Sequence, residues 1–340
     1  MKESLRTQDG VSGNGNPSIA VDPKPIAVEQ PDTVNEDPPD TTTKRFVLVL
    51  YQEGNARSSR PDASIGYPLV AEVCTKMKEA DLPPKEDVEI DIWLESPGGD
   101  AHAAYKLALL LRAHARLIRV VVPDYAKSAA TLLALAADEI YMAPSAELGP
   151  LDAQLPNEGG MITQISALDI ARSLDDLTSS SLRLALDGAT VVVDLTRLSR
   201  KDSLEAMLDF SAKFMAPIVQ QLDPAMIHFS STLLKVSIAY AERLLDMRTT
   251  GRDANIRNLP RMLVENYPTH GFVIGAVEAA TLGLPIHDIG EYDLAEAALH
   301  AHSHYELSRI DDLRFVPAET FMVTEDKDTP DGGTDETQEH

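Results

Sequence analysis

Val88-Glu89-Ile90-Asp91-Ile92-Trp93-Leu94 runs into Glu95-Ser96-Pro97-Gly98-Gly99-Asp100, and the reading of this junction decides the fold class. The first seven residues are rich in β-formers and predict a strand. Ser96-Pro97-Gly98-Gly99-Asp100 is a strong turn signal. A helix is predicted beyond it, over about 101–115. Upstream, residues 45–51 (Arg-Phe-Val-Leu-Val-Leu-Tyr) predict a buried strand, and residues 66–80 a helix carrying Leu69, Val70, Val73 and Met77 on one stripe. Downstream come a strand over 117–122, a break at Pro123, a helix over about 128–137 and a strand over 139–142. This alternation argues an α/β fold with a parallel sheet and right-handed crossovers. Residues 165–187 and 199–250 read as mainly helical, an added subdomain or arm. A last helix over 277–282 is expected to end at Gly283.

Composition bounds the function. The chain has 340 residues, with 30 basic against 54 acidic side chains and a net charge of -24. Such a field repels phosphate, which argues against nucleic acid or anionic lipid as a partner. Half of the charge sits at the two ends. Residues 1–43 carry eight acids and three bases, with six of the 22 prolines, and read as a disordered acidic tail. Residues 317–340 carry eight acids and one lysine, and an acidic C-terminal tail is assigned to 306–340. The domain between them is expected over 44–305, with its helical arm at about 165–250. A single cysteine, Cys74, excludes a disulfide framework and a multi-cysteine zinc site. The N-terminus lacks the apolar core of a secretory signal, and the longest apolar run, 129–137, is too short to span a bilayer. A cytoplasmic protein with no membrane span is the expectation. No nucleotide-binding fingerprint is present. The alternating His300, His302 and His304 read as a solvated helix, and neither a metal nor a cofactor is expected.

Two turns carry candidate chemistry. In the first, Gly98 and Gly99 allow positive φ and close approach of a ligand to the main chain, so their N–H groups can form an oxyanion pocket. The plainer reading is a strand-to-helix turn. In the second, Tyr125-Ala126-Lys127-Ser128-Ala129-Ala130, Ser128 opens a helix. Its Oγ would lie near free N–H groups, with that of Ala129 adjacent, a placement that suits a nucleophile. A serine in this position is more commonly an N-cap. Helix 231–247 reads as core or an oligomer contact, not as a ligand site.

Taken in order, Trp93–Asp100, Lys127–Ala130, Ala136–Met142, Ser145–Gln154, His270–Ile274, Glu278-Ala279 and Leu282–Pro285 resemble the Clp/crotonase superfamily. More narrowly they resemble its SppA-like serine proteases of the serine dehydrogenase proteinase (SDH) group, whose Ser-Glu-Leu-Gly-Pro-Ile-Asp-Pro-Gln pattern is similar to Ser145–Gln154. The resemblance covers roughly residues 45–290. It implies a Clp/crotonase-like spiral of β-β-α units with an additional helical region. It also implies Ser128 as nucleophile, Gly98 or Gly99 with Ala129 as oxyanion donors, a peptide or protein substrate, and a homo-oligomer.

The general base stays open. No histidine lies between Ser128 and His228, and no lysine between Ser128 and Lys201. Lys127 is adjacent, but consecutive helical residues point about 100° apart. Lys201, Lys213 and Lys235 remain, Lys213 among apolar neighbours that would desolvate it, and His270 is the other option. Three readings follow: a serine peptidase, a crotonase-like acyl-CoA enzyme, and a non-catalytic assembly protein of the same fold.

Overall fold

A computed structural model describes residues 43–52, 64–156, 164–248, 254–305 and 314–322. All of them belong to one compact unit, Thr42–His340. The acidic tail read over residues 1–43 lies outside the described residues except at its last one, and so does most of the C-terminal tail.

Strand β1 (Lys44–Tyr51) leads to helix α1 (Tyr67–Glu79), whose buried stripe is Leu69, Val70, Val73 and Met77. Strand β2 (Val88–Glu95) is buried at all eight positions, as a central parallel strand covered on both faces must be. Helix α2 (Ala101–His114) follows, then β3 (Leu117–Val122), the short β4 (Tyr125–Ala126), helix α3 (Ala129–Ala134), β5 (Glu139–Met142) and the short β6 (Glu147–Leu148). A hairpin of β7 (Gln154–Pro156) and β8 (Gln164–Ser166) opens the helical region: α4 (Ala167–Thr196), α5 (Arg200–Val219) and α6 (Pro224–Asp246). The chain returns through α7 (Leu259–Glu265), β9 (Ile274–Gly275), α8 (Ala276–Thr281), β10 (Ile286–Asp288), α9 (Ala295–Tyr305) and β11 (Arg314–Pro317).

The main sheet has the order β10-β5-β3-β2-β1-β11, parallel except for β11 on the edge. A second sheet joins β4, β6 and β9. Two strands of the main sheet are each followed by a short one in the small sheet: β3 by β4 before α3, and β5 by β6. This is the β-β-α layout, with an additional helical region, that the resemblance implied.

Several boundaries differ from the sequence reading. Helix α4 runs on to Thr196, through Gly188 and the β-branched Thr190–Val193 that argue against helix locally. Packing overrides propensity there: Gly188 lies against the Met207 side chain of α5, and Ala185 and Ala189 beside it are buried. Arg197 in the left-handed conformation (φ 60°) ends α4, and Ser199 caps α5 by accepting from Asp202 N–H. Arg314–Pro317, assigned to the tail, instead forms β11 on β1, and Phe321 packs 4.5 Å from Trp93. His302 is not a solvated residue: its Nδ1 is 2.5 Å from Glu95 Oε2, and its ring stands edge-on to Tyr51. Gly283 (φ 93°) does end α8, in a Schellman pair of bonds, Leu284 N–H to Ala279 O and Gly283 N–H to Ala280 O.

Burial of charge inside this fold is compensated by pairing. Arg112 donates to Asp138 Oδ2 at 2.7 Å, and the same carboxylate accepts from Ile118 N–H at 2.9 Å, tying α2 to the start of β3. The Arg248 guanidinium is buried nearby with no hydrogen-bond partner among the described residues. Burial lowers its pKa from the ordinary value, while Asp138 pulls it up. Asp138 is therefore the counter-charge for two buried cations. Asp138→Asn is expected to cost about 3–5 kcal/mol of stability, read from urea unfolding, because it leaves buried guanidinium groups uncompensated.

Candidate active site

The two turns meet through one residue. Ser96, fully buried at the end of β2, donates its N–H to Tyr125 O (3.1 Å) and accepts at its carbonyl from Lys127 N–H (3.0 Å). This parallel bridge sets the Gly-Gly turn beside the Ser128 turn. The Ser96 hydroxyl donates to Gln52 Oε1 (2.5 Å) and accepts from Gly98 N–H (3.0 Å). Gly98 and Gly99 both take positive φ, 103° and 143°. Gly98 O accepts from Ile65 N–H, and Asp100 N–H donates to Ile65 O. Asp100 then caps α2 by accepting from the N–H groups of His102 and Ala103. Neither glycine has room for a side chain. A Cβ on Gly98 would come within 2.6 Å of Lys127 O and 2.9 Å of Ala129 N, and one on Gly99 within 2.3 Å of Ile65 O.

Ser128 does not behave as a helix cap. It has φ 50° and ψ -115°, and its side chain makes no capping bond. Ala130 N–H bonds Lys127 O at 2.8 Å, so Lys127–Ala130 is a type II′ turn with Ser128 at the first central position, where glycine is the usual residue. A serine held there stores roughly 1–3 kcal/mol of backbone strain. Thr131 anchors the turn from below. Its hydroxyl donates to Ala126 O (2.6 Å) and accepts from Gly149 N–H (3.1 Å).

Ser128 lines a cavity of about 630 Å³ together with Gly99, Ala129, Lys127, His102 and His270. Leu132, Leu151 and, from α6, Leu233 and Val236 form its apolar wall. Helix α6 therefore contributes to the cavity as well as to the core, which the sequence reading had not assigned to it. Gly98 is not on the cavity wall, and its N–H is taken by Ser96. Gly99 and Ala129 line the cavity, and their amides have no main-chain partner among the described residues.

The candidate bases separate clearly. Lys213 lies on α5 with its side chain 75% exposed and paired to Asp209 at 2.6 Å. Lys201 and Lys235 are exposed too, and none of the three lines the cavity. The structure does not bring them to Ser128. His270 does line the cavity that Ser128 lines, and its Nδ1 is buried and without a hydrogen-bond partner among the described residues. Asp152 is buried in the chain segment that lines the same cavity. Burial raises its carboxyl, and Ser166, the Leu168 N–H and His270 pull it back. His102 also lines the cavity, and the sequence reading did not include it. Its signal was its place two residues after the Gly-Gly-Asp turn, on the first turn of α2. Its Nδ1 lies 2.8 Å from Tyr240 Oη on α6.

A family model described as ClpP-like SDH-type serine proteinase matches residues 74–185. Over this segment the chain is similar to that family. The span contains both turns but not His270. Two uncharacterized proteins of Methanocaldococcus jannaschii, MJ0137 and MJ1495, are 50% and 46% identical over 70 residues, which is 21% of this chain and 24% of each relative. The chain thus spans about a quarter of the length of the curated relatives it matches. Among solved structures it aligns with two mutants of the 1510-N membrane-bound stomatin-specific protease. The serine-to-alanine mutant is 17% identical over 42% of this chain and 64% of that one, with a TM-score of 0.25. The lysine-to-alanine mutant, in complex with a substrate peptide, is 20% identical over 48% and 74%, with a TM-score of 0.26. Likeness at that level decides nothing about the site. Among the described residues no helix is long and apolar enough to cross a membrane.

The strained turn makes an opposed pair of outcomes testable. Ser128→Gly relieves the positive φ and is expected to raise stability by about 1 kcal/mol in thermal unfolding. Gly98→Ala drives a methyl into the same turn and is expected to lower stability by about 2–3 kcal/mol, given its clash with main-chain atoms and its φ of 103°.

Proposed function

We propose that the chain is a serine peptidase with Ser128 as nucleophile. The observation that carries this reading is the Ser128 conformation: a non-glycine residue held in a glycine-type turn, free of any capping bond, on the wall of a cavity shared with an imidazole. Strain of that kind persists where the surroundings over-determine it, and it sets the hydroxyl at a sharp corner open to a substrate.

In this reading Ser128 Oγ bonds to the scissile carbonyl carbon while its proton passes to a ring nitrogen of His270. The carbonyl oxygen becomes an oxyanion between the N–H groups of Gly99 and Ala129, with Gly98 allowing the close approach of the two turns. Such a pair is worth several kcal/mol to the transition state, since losing one donor typically costs about 10²–10³ in rate. The tetrahedral centre then collapses, the C–N bond breaks, and the leaving amine takes the proton from His270. Water attacks the acyl-enzyme by the same route in reverse. His270 suits the role better than Lys213, which within one chain stands exposed on the arm. The apolar wall of Leu132, Leu151, Leu233 and Val236 favours a peptide with an apolar side chain. A homo-oligomer is part of the proposal: α4 to α6 expose Leu182, Leu186, Leu195, Phe210, Phe214 and Phe229, a surface suited to other copies of the chain.

A fluorophosphonate probe tests the reading. The folded chain is expected to gain one adduct, mapped to Ser128 by peptide mass analysis, and Ser128→Ala is expected to gain none. His270→Gln is expected to slow labelling about 10²–10⁴-fold. Labelling elsewhere, or none on the folded full chain, overturns the proposal.

A further inference from the structure

Lys127 is a charged side chain only 14% exposed, adjacent to the nucleophile yet unused by the chemistry above. Its ammonium has three donors and meets three acceptors: Glu147 Oε1 at 2.6 Å, Leu148 O at 3.3 Å and Phe272 O at 3.3 Å. An ammonium with three donors engaged has no lone pair to offer and no freedom to turn. It is therefore poorly placed to act as a base. Its stem lies on Gly149, where a Cβ would come within 2.6 Å of Lys127 Cδ. Its own N–H is held by Ser96 O. The three acceptors belong to two separate pieces of chain. Glu147 and Leu148 form β6, and Phe272 sits two residues beyond His270, 145 positions from Lys127.

We propose that Lys127 is a positioning residue: its ammonium clamps the loop carrying His270 to the turn carrying Ser128, and so sets the spacing between base and nucleophile. No other side-chain bond among the described residues joins the Ser128 turn to residues 269–273. The backbone pairing of β6 with β9 brings the loop near, and the contact from Nζ to Phe272 O fixes its final position. Glu147 neutralises the buried charge and directs the ammonium. Misplacement by about 1 Å at a reacting pair can cost about 10²-fold in rate, so one long hydrogen bond is enough to matter.

This inference rests on the reading of His270 as the base, and the test separates the two. The full chain and the variants Lys127→Met, Lys127→Arg, Glu147→Gln and His270→Gln are titrated with the fluorophosphonate, giving a maximal labelling rate and a half-saturating concentration for each. Thermal unfolding accompanies every variant. Lys127→Met is expected to lower the maximal rate about 30–100-fold with the half-saturating concentration changed by less than about twofold. Lys127→Arg keeps the charge but not the three-way geometry, and is expected to recover about a tenfold share of that loss. Glu147→Gln is expected to lose about 3–10-fold, and it decides the matter if Lys127→Met does not fold. If His270→Gln is slow while Lys127→Met and Glu147→Gln label like the wild type, the clamp is overturned and the base assignment stands. If His270→Gln labels like the wild type, the base assignment falls and the clamp with it.

Discussion

The backbone of Ser96 holds the whole site together. Its N–H and carbonyl bond Tyr125 and Lys127, residues that leave the next strand of the sheet, and its hydroxyl receives the Gly98 amide. Two turns separated in sequence are thereby locked at one spacing. A buried main-chain group must find a partner, so the register of this bridge is set by the same requirement that builds the sheet. Gln52 extends the constraint to β1: its Oε1 accepts from Ser96 Oγ, and its carbonyl from Tyr125 Oη. Each of the three adjoining strands β1, β2 and β3 thus leads into the same hydrogen-bonded knot.

Around that knot the fold tolerates strain that it would not accept elsewhere. Ser128 sits at φ 50°, and both glycines at positive φ abut main-chain atoms of neighbouring segments. The surrounding α/β core is deeply buried, with β2 fully covered and α3 buried along its length. A rigid frame of this kind can hold a hydroxyl and two amides in unfavourable conformations because the alternative is to open the core.

The opposite end of the sheet is held by charge. Arg45 bonds Asp91 and Asp293, Arg119 reaches Glu89, Asp91 and Glu139, and Tyr292 Oη donates to Asp91 while accepting from Trp93. Burial raises the Tyr292 phenol, with Asp91 adding to it, so it remains a neutral donor within this network. The network fastens the returning C-terminal segment across the sheet. The charged residues in the strands β2, β3 and β5 are therefore buried or half-buried and paired with one another.

The strands and helices of the parallel core were legible in the chain because their signals are local. β-formers end at Pro and Gly, and strands 117–122 and 139–142 fall where composition places them. The two turns of the candidate site were legible as turns for the same reason: glycine pairs and a serine at a strand-to-helix junction have few conformations open to them. Long-range pairing was not legible. Nothing local tells whether Ser128 caps its helix or stands strained above it, since that depends on Gly98 pressing from another turn. Nor does local pattern show that Lys213 is exposed on an arm, that His102 and His270 converge on one cavity, or that residues 314–317 join the sheet. Sequence by itself determined the α/β alternation and the residue types at the two bends, because backbone preferences act within a few residues. Only the tertiary structure decided which side chains share the cavity with Ser128, because burial and hydrogen bonding across separated segments select among conformations that the local chain permits equally.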